Sequence, residues 1–308
     1  MSHPDILFSI VIPSYNYAST LKRAVSSVVK QMNHKHELIV IDDGSTDETP
    51  AVAAHIKKEM PGQVRFIRKE NGGPSSARNL GIRESHGTYL IFLDADDELF
   101  PSALQALERH ITDHPDSRFI IGGHIAVSPD GKRREHIPDF LPEIPEERLS
   151  AYLLGKRISL CNGACAMHRE IFSRADYPEK FRSAEDIPVF AQALASHSCS
   201  MLPQALALIH KHADSLRHQF SLAKTGGLHL VEEVFSEQRL GPEFKHLKSP
   251  YFVQRSLSLF RSAYVAKDYT SAKEFYRIAL QRDWRVLLKL PYTKKALRLW
   301  FRNKPESY

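Results

Sequence analysis

Short apolar runs alternate with helical spacing through the first hundred residues. Phe8-Ser9-Ile10-Val11-Ile12 and Glu37-Leu38-Ile39-Val40-Ile41 read as buried strands, Val64-Arg65-Phe66-Ile67 as a third and residues 88–93 as a fourth. Between them, Leu21, Ala24, Val25 and Val28 share one face of a helix over 19–31. Thr46-Asp47-Glu48-Thr49 opens a second helix that runs on through Val52 to Ile56, and Gly72-Gly73-Pro74 turns into a third that carries Ala77-Arg78-Asn79-Leu80. This strand–helix alternation predicts a mainly parallel sheet covered by helices on both faces, a Rossmann-like α/β architecture. Ligands of such sheets gather at the carboxyl ends of the strands. Two acidic clusters, Asp42-Asp43 and Asp94-Ala95-Asp96-Asp97, fall at such ends.

Beyond residue 101 the pattern loosens. Residues 103–111 read as helix, 119–127 as strand, Ser128-Pro129-Asp130-Gly131 as a turn and 135–147, rich in Pro and acids, as a loop. From about residue 215 nearly everything is helical. Ala272, Phe275, Tyr276, Ala279 and Leu280 mark one helix, which with the helix before it faintly resembles a single tetratricopeptide-type hairpin; one unit does not make an array. The chain divides into an α/β domain over 1–220 and a helical C-terminal region over 221–308.

Composition narrows the function classes. With 308 residues, 42% hydrophobic and 25% charged, the chain is an ordinary globular protein. Cys161, Cys165 and Cys199 supply neither an even disulfide framework nor enough ligands for zinc. No basic stretch followed by an apolar h-region opens the chain, and no run reaches the ~20 apolar residues of a membrane span, so a cytoplasmic location is expected. The net charge of +6 is concentrated: residues 282–304 hold eight Lys and Arg against one acid, Asp283, which leaves the remainder close to neutral. That excludes a uniformly basic nucleic-acid binder. The same stretch interleaves Trp284, Leu287, Leu288, Leu290, Leu297, Leu299, Trp300 and Phe301, with Ala296, Leu297, Trp300 and Phe301 at helical spacing. Such a tail suits peripheral docking on an anionic inner-leaflet membrane or packing on the domain with a solvated basic face.

Four segments need one explanation: Val11-Ile12-Pro13-Ser14-Tyr15-Asn16, Val40-Ile41-Asp42-Asp43-Gly44-Ser45-Thr46-Asp47, Ala77-Arg78-Asn79-Leu80-Gly81 and Phe92-Leu93-Asp94-Ala95-Asp96-Asp97. Their order, spacing and wording resemble glycosyltransferase family 2, inverting enzymes with the GT-A fold, over roughly residues 7–220. The resemblance implies a nucleotide-diphosphate-sugar donor (a UDP-sugar first, a dTDP-deoxysugar second), a divalent Mn²⁺ or Mg²⁺ and a glycan or glycolipid acceptor. If the tail docks on the inner leaflet, that acceptor is lipid-linked, as in lipopolysaccharide, O-antigen, capsule or exopolysaccharide synthesis. The resemblance also implies that Pro13, Ser14 and Tyr15 border the nucleobase, that Asp43 accepts a hydrogen bond from it, with Asp42 the weaker candidate, and that Ala95 and Glu185 lie on the substrate side. Arg78 meets the phosphates or holds a carboxylate of the cluster.

The residues support the same chemistry independently. A leaving nucleotide diphosphate concentrates negative charge that a divalent cation neutralises, and Mg²⁺ and Mn²⁺ take carboxylate oxygens, water and substrate phosphate. Asp94 and Asp96, two apart at a strand end, can converge on one cation, with Asp97 an alternative to either. A transferase also needs a base for the acceptor hydroxyl. In Arg182-Ser183-Ala184-Glu185-Asp186-Ile187-Pro188 the Glu-Asp pair matches the family's base motif, and Asp186 takes that role. The run His210-Lys211-His212-Ala213-Asp214-Ser215 resembles the family's late His-x-x-Ser segment, which makes His212 a further metal ligand and His210 the alternative. Asn162-Gly163-Ala164-Cys165 resembles the segment that shapes the acceptor side. Gln281-Arg282-Asp283-Trp284-Arg285 is not the Gln-x-x-Arg-Trp signature of processive synthases, because Arg and Trp are in the wrong order, so one sugar is added per encounter. Two other classes compete. A nucleotidyltransferase needs a Gly-rich loop with Lys near the first strand, which residues 13–18 lack. A catalytically silent nucleotide-sugar-binding scaffold with a helical interaction tail would have lost Asp94, Asp96 or Asp186.

Overall fold

A computed structural model describes residues 6–211 and 220–301. The elements of the first third are β1 (Phe8–Ser14), α1 (Leu21–Val29), β2 (His36–Asp42), α2 (Thr49–Glu59), β3 (Arg65–Arg68), α3 (Pro74–Glu84) and β4 (Tyr89–Phe92). They reproduce the predicted alternation. β1 pairs in parallel with β2 and β4, and β2 with β3. Successive residues of these strands enter different cores. Val11, Ile39, Ile41, Leu90 and Phe92 pack on one face, and Ile10, Ile12, Leu38, Val40 and Ile91 on the other. Both faces are covered, which is why the strands read as continuous apolar runs, and each buried aliphatic side chain contributes about 1.5–3 kcal/mol.

Past β4 the sheet becomes mixed. β5 (Glu98–Leu99), α4 (Ala103–Asp113), β6 (Phe119–Val127), β7 (Arg133–His136), α5 (Pro145–Leu149), β8 (Cys165–His168), α6 (Asp186–Ser196) and β9 (Cys199–His210) follow. Among the described residues the strands form one nine-stranded sheet, in the order β3-β2-β1-β4-β8-β6-β9-β5 with β7 on β6. β8 is antiparallel to β4 and β6, whereas β9 is parallel to β6. The mainly parallel expectation therefore describes the first four strands, and later strands return by hairpin-like and crossover connections. Of the stretch read as a loop, 135–136 belong to β7 and 145–147 to α5.

The C-terminal region contains α7 (Phe220–Gly226), α8 (His229–Val234), α9 (Lys248–Val265), α10 (Tyr269–Arg282) and α11 (Leu290–Phe301). α9 and α10 pack as the expected helical hairpin. Val231, Val234, Leu240, Phe244, Leu247 and Tyr251 join the core under the sheet, whereas Val253, Leu257, Phe260, Ala272, Tyr276, Val286, Ala296 and Leu299 form a core of their own. α9 thus bridges the two. The tail packs and exposes apolar surface at once. Val286, Ala296 and Leu299 are buried, while Trp284 is 67% and Leu288 68% exposed, and Leu290, Leu297 and Trp300 also face solvent. The stripe read from the sequence is therefore split, with Ala296 on the packed face and Leu297 on the open one. Among the described residues no helix is long and apolar enough to cross a membrane.

Candidate active site

The parallel register brings the predicted segments to one edge. Ser14 pairs with Asp42, and Val11 with Phe92, two residues before Asp94. The two loops beyond β1 and β2 are laced together: Asn16 Oδ1 accepts from the Thr46 amide at 2.8 Å, and the Asn16 amide donates to Ser45 Oγ at 2.9 Å. Asp42 is buried, accepting from the Ser45 amide at 2.9 Å and pairing with Arg68 at 3.2 Å.

Asp43 is also buried and anchors the loop after β3. Its Oδ1 accepts from Lys69 Nζ at 2.7 Å and from the Gly72 amide at 2.9 Å, and Oδ2 accepts from the Gly73 amide at 2.7 Å. Those contacts occupy Oδ1 and leave a lone pair on Oδ2. Gly73 has φ +90°, and a Cβ there would stand 2.0 Å from Arg182 Nη1, so only glycine lets the Arg182 guanidinium lie across this loop. Pro13 and Ser14 are buried, and Ser14 Oγ has no hydrogen-bond partner; Tyr15, 44% exposed, stands beyond the strand end.

α3 carries the central residue. Its Gly81 backbone approaches β1 so closely that a Cβ would lie 2.3 Å from Val11 Cγ1. Close packing buries Arg78, which donates from Nη2 to Asp94 Oδ1 at 2.9 Å and from Nη1 to Glu185 Oε1 at 2.7 Å. Asp94 and Glu185 together hold the guanidinium charged, opposing its burial, and its pKa lies above the ordinary arginine value. The Tyr177 ring lies 5.3 Å from the guanidinium carbon, Tyr177 donates to Asn162 Oδ1 at 2.8 Å, and Asn79 clamps the Tyr177 backbone through both amide atoms. Sequence reasoning missed Tyr177; its only signal is that Asn79, next to Arg78, needs a partner.

The acidic cluster divides by exposure. The Asp94 side chain is 45% exposed, and Asp96 is half-buried beneath Tyr17. Burial first, then Asp96, Asp94 and Asp97, push the Tyr17 phenol well above its usual range, which marks a concentration of negative charge. Asp97 is buried and its Oδ1 accepts from the His210 amide at 2.8 Å, while the His210 ring meets Glu98 at 2.8 Å. Both alternatives to the named ligands are thus engaged in holding β9 to β5. Ala95 has no exposed surface and packs in the core with Ile12 and Leu93. His212 lies outside the described residues. Among the described residues no group of three or more potential ligands is assembled. The half-exposed Asp94 and half-buried Asp96 offer hard carboxylate oxygens, a donor type that fits a Mg²⁺ or Mn²⁺ completing its shell with water and substrate phosphate.

Asp186 begins α6, directly after Glu185 and the left-handed Ala184 at φ +62°. Burial first and the Glu185 carboxylate second push its pKa up to about 7, against the pull of Arg78. One guanidinium therefore joins the acidic cluster at the end of β4 to the Glu185-Asp186 pair from the other half of the sheet. A carboxyl pushed toward neutrality is suited to accept a proton.

The chain is similar to known proteins in sequence and in fold. Residues 9–175 match the family described as Glycosyl transferase family 2. The succinoglycan biosynthesis protein ExoO of Rhizobium meliloti is 28% identical over 242 residues, 75% of this chain and 68% of that one. Staphylococcal TarS 1-349, solved in complex with UDP-GlcNAc, superposes with a TM-score of 0.68 at 17% identity, covering 96% of this chain and 89% of that one. The mannosyltransferase PcManGT from Pyrobaculum calidifontis, in complex with GDP-Man and Mn²⁺, superposes with a TM-score of 0.58 at 17% identity over 97% and 85% of the two chains. The chain spans 25% to 62% of the length of the Rickettsia and Bacillus subtilis glycosyltransferases it also resembles. With more than half its length matched and the GT-A fold in place, the chain belongs to glycosyltransferase family 2.

Proposed function

We propose that the protein is a non-processive inverting glycosyltransferase, moving one sugar from a nucleotide-diphosphate sugar to a hydroxyl of a lipid-linked or cell-surface glycan. The observation that carries this reading is the Arg78 bridge, which joins the donor-side Asp94 to the Glu185-Asp186 pair. The acceptor oxygen attacks the anomeric carbon while the bond from that carbon to the diphosphate oxygen breaks. The electron pair leaves with the nucleotide diphosphate and the hydroxyl proton passes to the Asp186 carboxylate. Attack from the face opposite the leaving group inverts the anomeric centre. Asp94 and Asp96, with His212, would hold a Mn²⁺ or Mg²⁺, which when bound would neutralise charge on the leaving diphosphate. Tyr15 and the open lone pair of Asp43 receive the base beside Pro13 and Ser14, and Arg182 and Lys69 bring positive charge to the same loop. Glu185 keeps Arg78 in place and raises the basicity of Asp186.

The donor is a UDP-sugar, with a dTDP-deoxysugar second. The exposed Trp284, Leu288, Leu290, Leu297 and Trp300, set among cations, rest on an anionic membrane surface and bring the site to its acceptor. A panel of sugar nucleotides with Mn²⁺ and Mg²⁺, read by nucleotide release, tests the reading. Metal-dependent release that falls in both Asp96→Asn and Asp186→Asn supports it, and no release from any donor refutes it.

A further inference from the structure

A second cleft lies at the far end of α6 from Asp186. It measures about 460 Å³ and sits between α5, the loop before it and the turn from α6 into β9, with Leu141, Pro142, Pro145, Arg148, His197 and Cys199 in its lining. α6 runs eleven residues from Asp186 to Ser196, so its two ends stand about 16 Å apart. Cys199 opens β9, and the other end of that strand, His210, is the one held by Asp97. The cleft therefore stands away from the acidic cluster. Arg148 is the residue there that needs an explanation. It is 6% exposed, and of the five N–H donors of a guanidinium only one finds a partner, Nη2 donating to the His197 carbonyl at 3.4 Å. Nε is buried with no partner, and among the described residues Arg148 forms no ion pair with a carboxylate. Two other buried arginines, Arg78 and Arg239, each meet a carboxylate at 2.7 Å. His197 Nε2 is likewise buried without a partner, and the Cys199 thiol donates to the same His197 carbonyl at 3.4 Å. Glu170, whose charge reaches the His197 ring, is paired with Arg118 at 3.0 Å and does not line the cleft. A buried guanidinium with one long hydrogen bond is costly to keep unless an acceptor enters the cleft.

We infer that this cleft binds a small metabolite through an oxyanion, a phosphate or carboxylate group, held by Arg148 with His197 beside it. The planar guanidinium fork matches two oxygens of either group. Leu141, Pro142, Pro145 and Ala195 supply apolar walls for the rest of the ligand, and the volume lies within the range of small-molecule sites. Glu143, exposed on the rim, suits a hydroxyl or ammonium donor on the same molecule. The site is separate from the transfer chemistry and does not depend on it.

The test uses the full chain and follows alkylation of Cys199 by N-ethylmaleimide, read by peptide mass spectrometry, while inorganic phosphate or acetate is titrated. An anion on Arg148 covers the neighbouring thiol. In wild type the labelling rate of Cys199 is therefore expected to fall about ten-fold once the probe reaches roughly ten times its dissociation constant, with Cys161 labelled as before. Arg148→Met keeps a buried aliphatic stem but loses the fork, and protection should then need at least about ten-fold more probe. His197→Gln serves as the second variant if Arg148→Met fails to fold, and it too should weaken protection. Protection by phosphate alone names a phosphate ester as the ligand class, protection by acetate alone a carboxylate, and protection by both the shared oxyanion. Absence of protection with either probe overturns the site, as does equal protection in wild type and variants. Protection of Cys161 in place of Cys199 would put the anion elsewhere and overturn it as well.

Discussion

The edge of β1, β2 and β4 and the segments before α6 are built by opposite means. At the strand edge, Ser14, Asp42 and Asp94 lie within two positions of a strand end, and the parallel register alone brings them together. Across from it, Glu185, Tyr177 and Asn162 come from separate segments, and tertiary packing alone gathers them around Arg78. Arg78 joins the halves. The difference teaches that loops at neighbouring strand ends are aligned by sheet register, whereas side chains drawn from distant segments meet only through packing.

The largest effect expected is that of Asp186→Asn, which should lower kcat for transfer by about 10²–10⁴-fold in steady-state kinetics. With the Asp186 pKa pushed up to about 7, wild-type activity should rise with pH through that value as the carboxylate ionises, and the variant should lack this limb. The stability sign is opposite. The folded state holds the Asp186 proton more tightly than the unfolded chain does, so stability falls as pH rises from the ordinary carboxylate range to about 7. Thermal unfolding above pH 7 should then find Asp186→Asn more stable by roughly 1–2 kcal/mol, the full shift being discounted for solvent access.

Cutting the link between the halves comes next. Arg78→Met strands Asp94 and Glu185 together and should lower stability by about 3 kcal/mol in urea unfolding as well as slow turnover. A loss of turnover at unchanged stability would show that the bridge is not structural. Asp96→Asn, confined to the donor side, should reduce metal-dependent nucleotide release by about 10²-fold and weaken Mn²⁺ binding. Gly81→Val drives a side chain into Val11 and should cost about 1–3 kcal/mol by displacing α3, with Arg78 moving along with it. Smallest for stability is Trp284→Ser/Leu288→Ser, within about 0.5 kcal/mol because both side chains are exposed. The same pair should abolish flotation with phosphatidylglycerol vesicles. If binding survives, the open apolar face of the tail serves another purpose.

The amino-acid sequence by itself determined the first four strands and their helices, because strands buried on both faces must be apolar throughout and the intervening helices must be amphipathic. It also marked the acidic cluster, Asp43, Arg78 and the Glu185-Asp186 pair as candidates, because each belongs to a short contiguous segment of recognisable chemistry. Tertiary structure decided what the side chains do there. It committed Asp97 and His210 to the β5–β9 junction, sank Ala95 into the core, spent most of Asp43 on the Gly72-Gly73 loop and set Tyr177 beneath Arg78. It also split the tail stripe between a packed face and an open one. The physical reason is range. Hydrophobic period and loop chemistry act between residues near in sequence, while burial, charge coupling and hydrogen-bond partnership are settled only when distant segments meet.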